Sequence, residues 1–280
     1  MVVAESLAKA FEANGCVSGL RVLDSAAADE VRRQFDALEA AEGRERCQIG
    51  LLDRHFEQRF VWELATLPAI LDCVAAVLGR DLMLLATHFF CKYPALGGRR
   101  QALDGAPPAD SRQPANALRP TPDPYVAWHQ DVTYWGLEPP HSVTAWYAVD
   151  DSDVENGCMR VIPGTHRGGI REHGKAERAG NLLSINQEVP VTPEEEGRAA
   201  DLVLRAGEIS LHHGMVIHGS NPNRSRRRRC GLTLRYIPPS VRQVTLNSQG
   251  RTYAAVLVRG EDPFRHFESR PLPWPLRTSL

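Results

Sequence analysis

Apolar positions recur at helical spacing through the first eighty residues and switch to a period of two after residue 81. Residues 4–14 and 25–41 predict helices. The second opens on Ser25 as a cap, carries Asp29 and Glu30 in its first turns, and repeats Val31, Phe35 and Leu38 on one face. A short strand is expected between them over 16–23, and a third helix over 67–79 with Gly79 as its stop. Leu82 to Tyr93 then reads as a long strand ended by Pro94. Residues 97–124 are rich in Gly, Pro, Ala and Arg, lack an apolar period, and predict a long loop that could cover whatever follows. Strand signals come quickly after it, at 125–131, 142–149, 158–162, 182–189, 201–204, 208–211, 214–218, 230–237 and 252–258. Turn dipeptides such as Asn156-Gly157, Pro163-Gly164 and Ala206-Gly207 separate them. The pattern predicts a mainly β chain with flanking N-terminal helices, built as one domain over 1–280 around an antiparallel double sheet, a cupin-like jelly roll.

Composition narrows the class only modestly. The 280 residues are 42% hydrophobic and 24% charged, with a formal net charge of −1, so nothing suggests a polyanion partner. No apolar run approaches the roughly 18 residues of a membrane span. Met1 to Glu5 carries an acid early and lacks the basic-then-apolar order of a signal peptide, so the expected location is the cytoplasm. Six scattered cysteines, Cys16, Cys47, Cys73, Cys91, Cys158 and Cys230, form no C-x-x-C pair and are expected to be reduced and mostly buried.

Chemistry concentrates in two places. The first is Trp128-His129-Gln130-Asp131, where a strand would point His129 and Asp131 the same way. The second is Leu211 to Asn223, which offers His212, His213 and His218. Two histidines and one carboxylate hold non-haem Fe(II) on one face and leave the other open. His218 ends an apolar run before a turn, which suits a residue presented at a strand end; His212 or His213 would line a cavity or pack structurally. Tyr125, Trp128, Tyr134 and Trp135 make the surroundings aromatic, and Thr144 and Trp146 share a face on the next strand. Downstream, Arg224 to Arg229 is a basic run that is most simply a solvated loop or, less often, a nucleic-acid patch. Its last arginine stands at a strand entry and can turn inward, where the planar fork would grip a carboxylate.

Four stretches together resemble the phytanoyl-CoA dioxygenase family of Fe(II)/2-oxoglutarate oxygenases over roughly residues 5–260. They are Phe90 to Pro94; Trp128 to Asp131 with Tyr134-Trp135; Glu155 to His166; and His218-Gly219-Ser220 with an arginine eleven positions after the histidine, Arg229. The resemblance implies a double-stranded β-helix, and His129, Asp131 and His218 as catalytic metal ligands. It implies Arg229 and Ser220 on the far carboxylate of 2-oxoglutarate, with Thr144, Trp146 and His88 lining the co-substrate site. Fe(II), 2-oxoglutarate and O2 would be the cofactor set. The reaction would hydroxylate an unactivated C–H of a small organic substrate, or cause desaturation, epoxidation or cyclisation with the same oxidant. Related halogenases replace the ligand carboxylate with a small residue so that chloride can bind iron; Asp131 therefore points to oxygenation. Tyr134, Trp135, Arg160 and the 97–124 loop are the expected substrate contacts. The alanine- and arginine-rich composition resembles that of a high-GC bacterial protein, which suggests tailoring of a secondary metabolite. The expected partner is that small molecule, without nucleic acid or membrane, for a monomer or homodimer. The competing readings are a cupin-like binding module without catalysis, a polyanion binder using the arginine run, and a zinc hydrolase on the same ligands.

Overall fold

A computed structural model describes residues 2–94, 123–183, 185–268 and 270–276; most of the 97–124 loop therefore lies outside the described residues. The helices are α1 (Val2–Asn14), α2 (Ser25–Glu42), α3 (Arg44–Ile49), α4 (Arg59–Ala65), α5 (Pro68–Leu78) and α6 (Pro193–Gly197). The strands are β1 (Cys16–Arg21), β2 (Leu82–Lys92), β3 (Val126–His129), β4 (Leu137–Glu138), β5 (Val143–Ala148), β6 (Met159–Val161) and β7 (Gly174–Lys175). They continue with β8 (Gln187–Glu188), β9 (Ala200–Leu202), β10 (Glu208–His213), β11 (His218–Ser220), β12 (Arg229–Ile237), β13 (Arg242–Gln243) and β14 (Val256–Arg259). Six strands form one antiparallel sheet in the order β1-β10-β5-β12-β2-β14, and four form a second in the order β3-β11-β6-β9. Two-stranded ribbons, β13-β4 and β7-β8, complete the described strands.

Side-chain alternation gives the large sheet two different faces. Cys230, Leu232, Leu234 and Tyr236 of β12, Val143, Ala145 and Tyr147 of β5, and Ile209 and Leu211 of β10 all join the main core beneath the helices. The intervening residues point the other way: Arg229, Gly231, Thr233 and Arg235 on β12, Thr144 and Trp146 on β5, and Ser210 and His212 on β10. That second face is polar yet buried, and it looks toward the small sheet. At one end the sheets close through an apolar cluster that joins Trp146 and Ala148 to Met159, Val161 and Leu202.

The helices cover the apolar face for local reasons. In α2 the cap is Asp24 rather than Ser25, because the Asp24 carboxylate accepts the Ala27 N–H at 2.8 Å. Its buried stripe is Ala28, Val31, Phe35 and Leu38, and the Phe35 ring meets Phe89 of β2 at 4.9 Å between centroids. Pro68 starts α5 and Gly79, at φ 96°, ends it. α3 and α4 were not legible in the sequence; each is six or seven residues long, too short for a helical period to repeat.

Several strand expectations change. The 125–131 strand stops at His129, and Asp131 opens a short 3-10 turn over Asp131–Tyr134. The 182–189 segment is strand only at Gln187–Glu188, and the 214–218 strand gives way to a turn before β11 begins at His218. All six cysteines are free, five of them buried, as expected. Among the described residues no single helix is long and apolar enough to cross a membrane.

Phe35 carries the docking of α2 on the sheet. Its replacement by Ala should lower stability by about 3–5 kcal/mol, read as a shifted urea midpoint with unchanged slope.

Candidate active site

The site lies between the two sheets, in a cavity lined by His129, Asp131, His218, His212, Trp146 and Arg229 among others. Antiparallel pairing of β3 with β11 sets His129 directly against His218. The two imidazoles stand 4.1 Å apart between centroids. Asp131 reaches them from the turn after β3. Its Oδ1 lies 3.6 Å from His129 Nε2 and 3.9 Å from His218 Nε2. One ligand atom from each of the three residues falls within 4.8 Å of the others, and all three side chains are buried. The expectation that strand alternation aims Asp131 is corrected; the 3-10 turn does so.

Backbone carbonyls fix both rings. His129 Nδ1–H donates to Ala127 O at 2.9 Å, and His218 Nδ1–H donates to Val216 O at 3.1 Å. A carbonyl can only accept, so each Nε2 is left with its lone pair facing Asp131. Thr144 Oγ1 donates to Asp131 Oδ2 at 3.2 Å. Burial pushes the Asp131 carboxyl up, but contacts from His129 and His212 and the charges of His218 and Arg235 outweigh it, holding it well below the usual carboxylate range. Burial, then neighbouring His129 and His212, pushes His218 well down. Two imidazole nitrogens and a carboxylate oxygen thus converge, the donor set that holds a divalent metal.

His212 is close to this trio without belonging to it. Its Nε2 is 3.4 Å from Asp131 Oδ2, its ring is 4.6 Å from that of His218, and neither ring nitrogen makes a hydrogen bond. It faces the cavity because it sits opposite Thr144 in the β10–β5 pairing. His213 points away, its ring near Phe11, His141 and His166.

A cationic cluster closes one end of the cavity. Arg229 is buried, donates through Nε and Nη2 to Gly157 O at 3.1 and 2.9 Å, and lies over the Trp146 ring at 5.5 Å. Ser220 Oγ accepts from Arg229 at 3.4 Å and from Lys92 Nζ at 2.5 Å. Lys92 is fully buried, and also donates to Gly157 O and Asn221 O. Burial and the adjacent Arg229 push its ammonium well below the usual lysine range. Arg229, buried at the cavity wall and joined by no ion pair among the described residues, can receive an anion, while Lys92, its three N–H taken by Gly157, Ser220 and Asn221, braces the wall behind it. Sequence reasoning missed Lys92. The available signal was a lysine inside an otherwise apolar strand, since a buried lysine needs a reason. Gly231 makes room for the cluster: a Cβ there would lie 1.9 Å from the Trp146 ring.

Other expected residues fall elsewhere. His88 does not line the co-substrate cavity; it borders the adjoining one, where its Nε2 contacts Ile49 O at 2.6 Å. Thr144 serves Asp131 rather than lining the cavity. Arg160 is corrected outright, because Met159 takes the inward position on β6 and alternation turns Arg160 out. There it pairs with Glu196 and Asp201 and stacks on Trp128. Tyr134 and Trp135 do border the adjoining cavity. Two arginines of the basic run are paired, Arg227 with Asp153 and Glu155 and Arg228 with Asp36, Glu39 and Asp150.

The sequence model of the phytanoyl-CoA dioxygenase family matches residues 2–231. Peroxisomal phytanoyl-CoA dioxygenase of Bos taurus is 28% identical over 170 residues, 60% of this chain and 43% of that protein, so the match spans less than half of that relative. L-proline trans-4-hydroxylase of Streptomyces griseoviridis is 32% identical over 161 residues, 52% of this chain and 60% of that one. Among solved structures, the non-haem monooxygenase ThoJ in its apo form superposes with a TM-score of 0.70 at 28% identity, covering 95% of this chain and 88% of its own. CytC3 with Fe(II) and alpha-ketoglutarate shares the fold at a TM-score of 0.62 and 21% identity, covering 93% and 90%.

Replacing His129, Asp131 or His218 by Ala should abolish saturable Fe(II) or Ni(II) binding in anaerobic calorimetry. His212→Phe should keep that binding, weakened by no more than about 10–100-fold, the range for a group that acts on a ligand.

Proposed function

Because the chain belongs to the phytanoyl-CoA dioxygenase family, we propose that it is an Fe(II)/2-oxoglutarate-dependent dioxygenase that hydroxylates an unactivated C–H of a small organic substrate. The observation that carries this reading is a preset metal trio, His129, Asp131 and His218, sharing one cavity with Arg229 and Ser220. The donor set fits Fe(II): two imidazole nitrogens and one carboxylate, with no thiolate, since none of the six cysteines lines this cavity. Bound iron would couple oxidation of 2-oxoglutarate by O2, giving succinate and carbon dioxide, to oxidation of the substrate.

The chain's own residues then have defined tasks. Arg229 and Ser220 hold the far carboxylate of 2-oxoglutarate and orient its keto acid end toward the trio, with Lys92 holding Ser220 from behind. Trp146 stacks on the Arg229 guanidinium and fixes the orientation of its plane. Thr144 holds Asp131 Oδ2, leaving Oδ1 toward His129 and His218. The two sheets correspond to the halves of a double-stranded β-helix, in a single domain; the TM-score of 0.70 to a non-haem monooxygenase supports this. We read the enzyme as cytoplasmic, acting on a small secondary metabolite without a nucleic-acid or membrane partner. The formal net charge of −1 and the ion pairs of Arg227 and Arg228 support that reading.

Anaerobic loading with Fe(II) and 2-oxoglutarate, then O2 and a substrate panel, should give iron-dependent succinate and a product one oxygen atom heavier. Failure to bind 2-oxoglutarate in the metal-loaded protein would sink the proposal. Arg229→Gln should raise the KM for 2-oxoglutarate about 10–100-fold, the loss of a hydrogen-bonded charge. Asp131→Ala should abolish hydroxylation. Lys92 also sets a pH dependence: burial and the adjacent Arg229 lower its value in the free site, and a bound dianion nearby raises it. Binding of 2-oxoglutarate should therefore take up a proton, and affinity should fall as pH rises, measurable by calorimetry in buffers of different ionisation heat.

A further inference from the structure

The polar face of β12 carries a second buried arginine. Arg235 lies six residues beyond Arg229, on the same side of the strand and about 20 Å along it at 3.3 Å per residue. It is 8% exposed. Arg229 is anchored by Gly157 and Ser220, but Arg235 has neither ion pair nor hydrogen bond among the described residues, and its Nε is buried without a partner. Its guanidinium lies over the Trp135 ring at 5.2 Å, which fixes the plane of the fork. Leaving such a group buried and unmatched is costly unless something else completes it.

Arg235 borders both the metal cavity and an adjoining cavity of about 130 Å³. The same adjoining cavity is lined by Asp53, His88, Tyr134, Trp135 and Arg251. Asp53 is a non-glycine residue at φ 50°, a strained backbone state that persists where the surroundings impose it. One of its carboxylate oxygens accepts the Thr87 N–H at 3.1 Å, yet no ion pair joins it to Arg235 or Arg251. Burial pushes Asp53 up, against the nearby charges of Arg235 and Arg251. His88 does not add a third cation: burial, then the charge of Arg235, pushes it down to about 3. The cavity beside the metal trio thus holds the Asp53 carboxylate and the Arg235 and Arg251 guanidinium groups, which face a common space without an ion pair between them among the described residues.

We propose that Arg235 and Asp53 form the substrate receptor, and that the substrate is a small zwitterion of the amino-acid class. Its carboxylate takes the Arg235 fork, stacked on Trp135, and its ammonium group takes Asp53. This rests on the trio being the Fe(II) centre, and it extends that reading: β12 then carries an anion receptor on each side of the metal, Arg229 for the co-substrate and Arg235 for the substrate.

The test uses the full chain loaded anaerobically with Fe(II) and 2-oxoglutarate. The probes are the twenty L-amino acids, their primary amides, which lack the carboxylate, and their N-acetyl derivatives, which lack the ammonium. At least one amino acid should bind, read by calorimetry and thermal shift, at least tenfold tighter than its amide or N-acetyl form. Arg235→Gln should lose that binding at least tenfold and keep wild-type affinity for 2-oxoglutarate. Asp53→Asn should erase the preference over the N-acetyl form and keep the preference over the amide. Binding of no amino acid, unchanged binding by Arg235→Gln, or loss of 2-oxoglutarate binding in that variant would each overturn the proposal. Failure of the Fe(II) reading shows separately, as a wild-type protein that takes up no 2-oxoglutarate. The amino-acid arm, repeated on metal-free protein, still decides the receptor.

Discussion

Everything at the site depends on the burial of a polar face. A sheet packed on helices needs only one apolar side, and here the other side is also withdrawn from water, beneath a second sheet. Polar groups there must be matched within the protein or by something that enters. The matches are made selectively. His129 and His218 satisfy one ring nitrogen on a backbone carbonyl and leave the other toward Asp131. Lys92 satisfies its three donors on Gly157, Ser220 and Asn221, whereas Arg229 satisfies only some of its donors, on Gly157 and Ser220. What stays unmatched is grouped, and each group has the chemistry of one kind of ligand.

Precision comes from the backbone rather than from loops. The pairing of β3 with β11 sets the separation of the two histidines, and the pairing of β12 with β5 sets Arg229 and Trp146 into contact. A rigid ladder under both histidines and Arg229 keeps the site ordered before any ligand arrives, which lowers the entropic cost of assembling it.

Much of this was legible in the sequence, and the reasons for the gaps are physical. His129, Asp131 and His218 could be grouped because ligand types and spacing are local signals, and Arg229 because a charge entering an apolar strand stands out. The turn that carries Asp131 could not be read, since one residue of strand or turn has no period. Nor could the inward orientation of His212 against the outward one of His213: adjacent histidines alternate, but which faces in depends on register with β5. Arg160 misled for the same reason, because its strand is three residues long and its phase is set by partners. Lys92, Asp53 and Arg235 needed the tertiary structure, as each is significant only for the contacts that it makes or lacks.

The shared strand has a consequence for how sequences of this kind can vary. Arg229, Gly231, Thr233 and Arg235 hold their common side only while every residue between them counts in twos. A single inserted or deleted residue between 229 and 235 would swing one guanidinium under the helices and leave the other in place. The spacing is therefore a fixed ruler.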